Sequence, residues 1–179
     1  MKKIERIKRE VAYEGHILTV YNDTIIAPNG DVENYDTVHH RMGAAATVAV
    51  TDDEKIVLVR QYRNALDRET LEIPAGARDA LTEDTIVTAE RELKEETGYS
   101  CKSIKLLCKL RTTVAFCDEF IDIYLAKGLS KGEQNLDPEE DIDVEEYKLS
   151  DLLEMIYKGE LQDSKTVSGI LAYANMQKP

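Results

Sequence analysis

Three glutamates and one arginine in a short stretch are the side chains of this sequence best suited to do chemistry. Arg91, Glu92, Glu95 and Glu96 lie within six residues of one another, in a segment whose apolar period predicts a helix. At 3.6 residues per turn the glutamates share an arc of roughly 100°. Like charges at this spacing oppose helix formation by about 0.2–0.5 kcal/mol per pair, and a bound cation would reverse that sign. Carboxylate oxygens suit Mg²⁺, which also takes substrate phosphates as ligands.

The same residues also have an ordinary explanation. Helices rich in glutamate and lysine are common, and a solvated acidic face paired with Arg91 and Lys94 would give the same pattern. The charge pattern alone does not separate a metal site from such a face.

Sequence signals predict where this helix begins and ends. Thr82 is the expected N-cap, and Glu83 and Asp84 would place negative charge at the positive end of the helix dipole. Gly98 fits the left-handed position just past the last turn.

The apolar side of the helix predicts how it packs. Ile86, Ala89 and Leu93 share one face and are expected to pack on a sheet, with the three glutamates at the edge of that face. Arg91 lies one turn before Glu95 and is expected to pair with it. Tyr99 is expected in the core.

The whole segment resembles the signature of the Nudix hydrolases. Gly76 and Glu83 are followed by seven residues and then by RELKEETGY at 91–99. Six residues separate Gly76 from Glu83 where the family has five, which leaves the role of Glu83 open. The final position is Tyr99, where the family has Ile, Leu or Val. The resemblance implies an α/β/α sandwich with a mixed sheet.

Motifs outside the signature are similar to the ADP-ribose pyrophosphatase branch of that family. They are PNG at 28–30, VRQYR at 59–63, LEIPAG at 71–76 and GELQDSKTVSGILAY at 159–173. This resemblance implies a Mg²⁺-dependent homodimer that exchanges N-terminal strands and splits ADP-ribose into AMP and ribose 5-phosphate.

The exact substrate stays open at this point. Val114 and Ala115 stand where the branch often has Pro and Gly, so another nucleotide sugar or a dinucleotide is the alternative. A nucleotide-binding Nudix module without catalysis is the other alternative. Degenerate members usually lose the Arg-Glu or Glu-Glu positions, which this chain keeps.

The resemblance and the shared helix arc together imply a metal site. Its expected ligands are Glu92 and Glu96, with Glu95 sharing and the backbone carbonyl of Ala75 completing the set. The expected metal is Mg²⁺, with Mn²⁺ as a substitute. Arg91 is expected to orient a glutamate.

Other candidate residues lie outside the signature. Glu119 is the expected general base, because its loop aligns with an acidic loop of the branch; its alternative is an exposed loop acid. Arg60, Arg63 and Glu72 are candidates for substrate binding, since arginine can bind phosphate bidentately. Their alternatives are surface charge for the arginines and, for Glu72, a strand-end acid satisfied by an arginine.

The order of elements predicts an α+β fold in one domain. Strands dominate, with one helix in the middle and two at the end, and the 179 residues fit a single domain. We expect an N-terminal strand and hairpin region at 1–40 and a catalytic core at 41–179. The hairpin around 17–40 is only weakly apolar, which favours a place at a dimer interface.

Composition limits the partners and the compartment. A net charge of −12 argues against binding to nucleic acid and to anionic membranes. The family resemblance implies a small nucleotide as the ligand. The three cysteines form no CxxC pair and are expected to be free thiols. The charged start lacks the apolar segment of a secretory signal. These observations predict a cytoplasmic protein.

Overall fold

A computed structural model describes residues 3–178 of the chain as ten strands and three helices. The elements are β1 (Glu5–Glu14), β2 (Leu18–Ile26), β3 (Val32–His40), β4 (Ala44–Val50), β5 (Lys55–Arg63), β6 (Arg68–Glu72), β7 (Ala75–Ala77), α1 (Thr85–Thr97), β8 (Tyr99–Arg111), β9 (Phe120–Lys131), β10 (Ile142–Lys148), α2 (Leu149–Lys158) and α3 (Ser164–Met176). The predicted α+β class is confirmed.

The described residues group into two compact units. The first contains the chain up to Gly43 together with Arg111–Phe120, and the second contains Ala44–Leu110 and the chain from Ile121 onward. That the whole chain is one domain, divided into regions 1–40 and 41–179, stays a prediction.

The first unit is a three-stranded antiparallel sheet in the order β1-β2-β3. The predicted hairpin is present: β2 and β3 pair along their length, and the Ala27 N–H donates to Asp31 O across the turn at 2.8 Å. Asp23 is buried in this sheet and accepts two hydrogen bonds from Arg9. Those bonds hold the pKa of Asp23 at about 2.

A loop segment of the first unit runs beside β3. The Val38 N–H donates to Phe116 O at 2.6 Å, the Asp118 N–H donates to Val38 O at 3.1 Å, and Val38 forms a parallel bridge with Cys117. The segment 116–118 therefore extends the sheet of the first unit by a short fourth row.

The second unit is built on a mixed sheet of seven strands. Its main path is β10-β5-β4-β9-β8, with β6 beside β5 and β7 beside β4. β4 pairs parallel to β9 and antiparallel to β5 and β7. Almost every residue of β4 is buried, as its continuous run of small and apolar side chains predicts.

Alternation along the central strands places helices on both faces of this sheet. Val48 and Ile123 pack in one cluster with Leu152 of α2 and Ile170 of α3. Ala49 packs in another cluster with Leu93 of α1. Successive residues of a strand point to opposite faces, so α1 covers one face and α2 and α3 cover the other. The predicted α/β/α sandwich is confirmed.

The start of α1 differs from the prediction. The N-cap is Asp84, not Thr82, so the first turn contains no acidic side chain. The end is as predicted, because Gly98 adopts a left-handed φ of 74° and its N–H donates to Lys94 O.

The buried face of α1 also differs from the predicted face at one residue. Ala89 and Leu93 are buried as predicted, but Ile86 is 37% exposed and Thr88 is buried in its place. Three residues rotate a helix by about 300°, so Ile86 lies about 60° from Ala89. Leu93 and Thr97 are buried on the same side of Ala89 as Ile86, so Ile86 lies on the buried side of the helix and is exposed in its first turn.

Candidate active site

The turn that follows β6 brings the backbone of Ala75 and Gly76 against α1. The Ala75 N–H donates to Glu96 Oε2 at 2.9 Å, and the Pro74 carbonyl accepts from the Thr47 N–H at 2.9 Å. A Cβ added to Gly76 would overlap the carboxylate of Glu92. The absence of a side chain at Gly76 therefore leaves room for the Glu92 carboxylate beside the β7 backbone.

Arg91 links the glutamates to the same turn. Its Nη1 donates to Glu92 Oε1 at 2.7 Å and to Glu95 Oε2 at 3.0 Å, and its Nη2 donates to Ala77 O at 2.9 Å. The expected contact with Glu95 is present. One guanidinium thus fixes two carboxylates against the backbone of β7.

Burial makes ionisation of two glutamates costly. Glu96 is only 3% exposed, and burial raises its pKa to about 8, against the opposing hydrogen bond from Ala75. Burial likewise raises the pKa of Glu92 to about 6, although Arg91 opposes it. A nearby cation would remove this cost by favouring the charged forms.

An open cavity of about 280 Å³ lies beside these groups. It is lined by the β7 turn, by α1 and by the segment before β10, with the residues Ala75, Gly76, Ala77, Arg78, Asp79, Arg91, Glu92, Glu95, Asn135, Asp137 and Glu140. The predicted residues Ala75, Arg91, Glu92 and Glu95 therefore share one cavity.

Sequence analysis missed the contribution of the segment 132–141. Asp137 and Glu140 line the cavity, and Glu140 raises the pKa values of both Glu92 and Glu96. The Asn135 N–H donates to Glu95 O at 3.0 Å and ties the segment to α1. The available signal is the acidic run DPEED at 137–141.

Glu83 has a local structural role. Its Oε2 accepts hydrogen bonds from the Asp79 N–H at 2.8 Å and from Thr88 Oγ1 at 2.9 Å. It therefore closes the lengthened loop onto the first turns of α1. This settles the contacts of the residue whose role the extra loop position left open.

The residues predicted to bind substrate pair with other side chains of the protein. Arg63 donates to both carboxylate oxygens of Glu72 at 2.7 and 2.6 Å. Arg60 Nε donates to Glu145 Oε1 at 2.5 Å. These contacts match the alternative of a strand-end acid satisfied by an arginine, and substrate binding by these residues stays a prediction.

Glu119 belongs to the first unit. Its Oε1 lies 3.6 Å from His40 Nε2. The neighbouring Asp118 contacts His39 Nδ1 at 2.6 Å and accepts from the His40 N–H at 2.9 Å. The two histidines thus partner the acids of the loop, and the role of Glu119 as a base stays a prediction.

The predicted metal ligands fit a divalent cation by donor type and setting. They are oxygens; two of them belong to acids with raised pKa values, the buried Glu96 and the partly buried Glu92. Three of the four ligand residues line a cavity. Within residues 3–178, no three His, Cys, Asp or Glu side chains are grouped closely enough to hold an ion by themselves. The backbone carbonyl of Ala75 and substrate oxygens would have to complete the coordination.

The fold and this site define a class of protein. The NUDIX domain family matches residues 40–168, and the chain belongs to that family. The resemblance drawn from the signature helix is confirmed. No helix found between residues 3 and 178 is both long and apolar enough to cross a bilayer.

Two relatives and one solved structure are similar to this chain along most of its length. The chain is 41% identical over 174 residues to the methanol dehydrogenase activator of Bacillus methanolicus, covering 96% of this chain and 92% of the relative. It is 37% identical over 174 residues to the ADP-ribose pyrophosphatase of Bacillus subtilis (strain 168), covering 95% and 93%. The crystal structure of an ADP compounds hydrolase shares the fold, with a TM-score of 0.88 at 21% identity over 98% and 95% of the two chains.

Proposed function

We propose that this chain is a Mg²⁺-dependent hydrolase of nucleoside diphosphates linked to another group, with ADP-ribose as the leading substrate. The observation that carries the proposal is the arrangement of the buried Glu96, the partly buried Glu92 and the Ala75 backbone beside an open cavity. The similarity to a bacterial ADP-ribose pyrophosphatase along nearly the whole chain supports the choice of substrate.

Hydrolysis of a pyrophosphate requires neutralised phosphate charge, a positioned water and an acceptor for its proton. Bound Mg²⁺ would supply the charge neutralisation and lower the pKa of the water. Glu92, Glu95, Glu96 and the Ala75 carbonyl would hold the ion. Arg91 keeps the carboxylates of Glu92 and Glu95 in place through its hydrogen bonds to both.

Two acids are candidates for the proton acceptor. Glu119 is the residue indicated by the sequence, and Glu140 is the residue that lines the cavity together with Glu92 and Glu95. We expect replacement of the acceptor by glutamine to lower kcat by about 10²–10⁴-fold. Single-turnover measurements on Glu119→Gln and Glu140→Gln, with Glu139→Gln as a neighbouring control, identify which acid acts. If neither variant is slowed, both assignments are wrong.

A substrate panel tests the activity directly. It contains ADP-ribose, ADP-glucose, other nucleotide sugars, NADH and diadenosine polyphosphates, each with Mg²⁺ or with EDTA, and products are identified by chromatography. We expect AMP and ribose 5-phosphate from ADP-ribose, and no turnover with EDTA. Faster cleavage of another compound would keep the chemistry and replace the substrate. Absence of cleavage, with a nucleotide that raises the Tm, would favour a binding module.

We also propose that the chain is a cytoplasmic homodimer. All ten residues of β1 are exposed on this single chain, and they include the apolar side chains Ile7, Val11 and Tyr13. A second copy would cover such a strand. Light scattering at micromolar concentration should give twice the chain mass of 20.2 kDa, and a monomer mass would remove the proposal.

A further inference from the structure

The first turn of α3 contacts the strand that leads into the active-site turn. The Ile73 N–H donates to Thr166 Oγ1 at 2.9 Å. Lys165 Nζ pairs with the carboxylate of Glu72 and lies 3.0 Å from Asp163 Oδ2. Glu72 is 2% exposed, Lys165 is 7% exposed and Thr166 is fully buried. Two successive residues of the strand are thus held by one helix turn, out of contact with water.

The hydroxyl of Thr166 has its hydrogen-bond direction fixed. Asp163 is the N-cap of α3, and its Oδ2 accepts from the Thr166 N–H at 3.0 Å and from Thr166 Oγ1 at 2.6 Å. A hydroxyl has one proton to donate, and here it goes to Asp163. The oxygen therefore presents its lone pairs to Ile73, and the three residues form a chain with defined donors and acceptors.

The carboxylate of Glu72 is held from two elements at once. Arg63 of β5 binds it bidentately from one side, and Lys165 of α3 binds it from the other. A buried carboxylate is stable only while its partners are present. The position of Glu72 is therefore tied to both β5 and α3.

Only one residue separates this contact from the active site. Pro74 follows Ile73 with a restricted φ, and its carbonyl is fixed by the Thr47 N–H. The next residue is Ala75, whose N–H donates to Glu96. A shift of Glu72 or Ile73 would strain the short connection to Ala75, because the fixed φ of Pro74 removes one of the few backbone rotations that could absorb it.

We infer that Asp163, Lys165 and Thr166 form a positioning element for the candidate site, which holds Ala75 where its backbone can contact Glu96. None of the three lines the cavity, so they act through the strand. The expected effect on turnover rests on the proposed function, whereas the effects on the Ala75 amide and on metal affinity do not need it.

The test uses the full chain and four single variants. Lys165→Met removes the charge while keeping the length of the side chain, and Lys165→Arg keeps the charge. Thr166→Val removes the hydroxyl with little change in volume, and serves if Lys165→Met does not fold. Lys158→Met is the matched control, because Lys158 is exposed at the end of α2 and pairs only with Glu154 among the described residues.

Each variant is characterised by three measurements, all made at a temperature below its Tm. They are exchange of the Ala75 amide by NMR, Mn²⁺ affinity by electron paramagnetic resonance without substrate, and kcat and KM for ADP-ribose. We expect Lys165→Met and Thr166→Val to exchange the Ala75 amide faster and to lose about 10-fold or more in Mn²⁺ affinity, as supporting partners of metal ligands do. kcat should fall more than KM changes, and Lys165→Arg should recover most of the loss.

The outcomes separate this inference from the proposed function. Unchanged Ala75 exchange and unchanged Mn²⁺ affinity in both Lys165→Met and Thr166→Val would overturn the inference, even if both variants melt earlier. Wild-type protein that fails to bind Mn²⁺ would refute the proposed function, and exchange of the Ala75 amide alone would then decide the inference. A third outcome is that wild-type protein cleaves nothing while the variants bind Mn²⁺ more weakly than wild type does. That result would support the inference and refute the proposed function.

Discussion

Arg63 and Glu72 form a bidentate ion pair. Arg63 Nε donates to Glu72 Oε1 at 2.7 Å, and Arg63 Nη2 donates to Glu72 Oε2 at 2.6 Å. The pair joins β5 to the end of β6, and the carboxylate is almost completely buried. Burial raises the pKa of Glu72, but hydrogen bonds and charge from Arg63 and Lys165 outweigh it and bring the pKa down to about 2. Arg63 has the chemistry to bind phosphate, and in the free protein it is held in this ion pair with Glu72.

The lowered pKa of Glu72 predicts a specific loss of stability in acid. Its ordinary value is 4.5 and its folded value is about 2, so ionised Glu72 stabilises the fold above pH 4.5 and this contribution disappears as the pH falls toward 2. The shift corresponds to about 3 kcal/mol. The unfolding free energy of wild type minus that of Glu72→Gln should shrink between pH 5 and pH 3 in denaturant titrations. A difference that stays constant over that range would contradict the assigned ion pair.

Removal of the Glu96 charge should abolish activity and leave the fold intact. Glu96 is buried at the end of α1 and its pKa is raised, so a neutral glutamine removes a charge that is costly without a cation. We expect Glu96→Gln to lose much more than tenfold in kcat, that is, more than about 1.4 kcal/mol, with a Tm at or above that of the metal-free wild type. Glu90→Gln is the control, since Glu90 is exposed on the same helix. A variant that retains a tenth of wild-type turnover would refute the metal role.

Two apolar residues of α1 should differ sharply in their effect on stability. Leu93 is fully buried between α1 and the sheet, and Ile86 is substantially exposed. Leu93→Ala leaves a core cavity and should cost about 2–5 kcal/mol. Ile86→Ala should cost less than about 1 kcal/mol, since most of its side chain stays outside the packed core. Equal losses in chemical denaturation would contradict the exposed position of Ile86 in the first turn of α1.

A methyl group at position 76 should disturb the site without unfolding the protein. The added Cβ would overlap the Glu92 carboxylate, which is the flexible end of a side chain and can move aside. We expect Gly76→Ala to weaken Mn²⁺ binding and lower kcat by about tenfold or more, while the Tm changes by only a few degrees. Calorimetry with and without metal separates the two effects. Full metal affinity in this variant would mean that Glu92 is not a ligand.

Local signals in the sequence determine much of the fold. The turn at 28–31, the buried run of β4 and the left-handed Gly98 each depend on short-range chemistry, and the structure has all three. The limits of α1 depend on more than local signals. Thr82 is a good N-cap by type, yet Glu83 binds the Asp79 N–H and Thr88, so the loop closes first and the helix begins at Thr85.

Part of the candidate site could likewise be predicted from local sequence signals, and part could not. Arg91, Glu92, Glu95 and Glu96 could be grouped from helix periodicity, because one element carries all four. Asp137 and Glu140 are far away in sequence, and long-range hydrogen bonds from Gln134 and Asn135 to the last turn of α1 bring their segment to the cavity. Long-range pairing of Glu72 with Lys165 is hidden from the sequence for the same reason.

The bridge between Val38 and Cys117 has a practical consequence for cutting and recombining this chain. The family match starts at residue 40 and stops at residue 168, which excludes nearly all of β3 and the second half of α3. A fragment with those limits would leave the 116–118 row without its neighbour and would discard the buried Ile170 and Tyr173. Chimaeras and truncations of this protein should therefore exchange the N-terminal sheet together with 111–120, and should keep α3 whole.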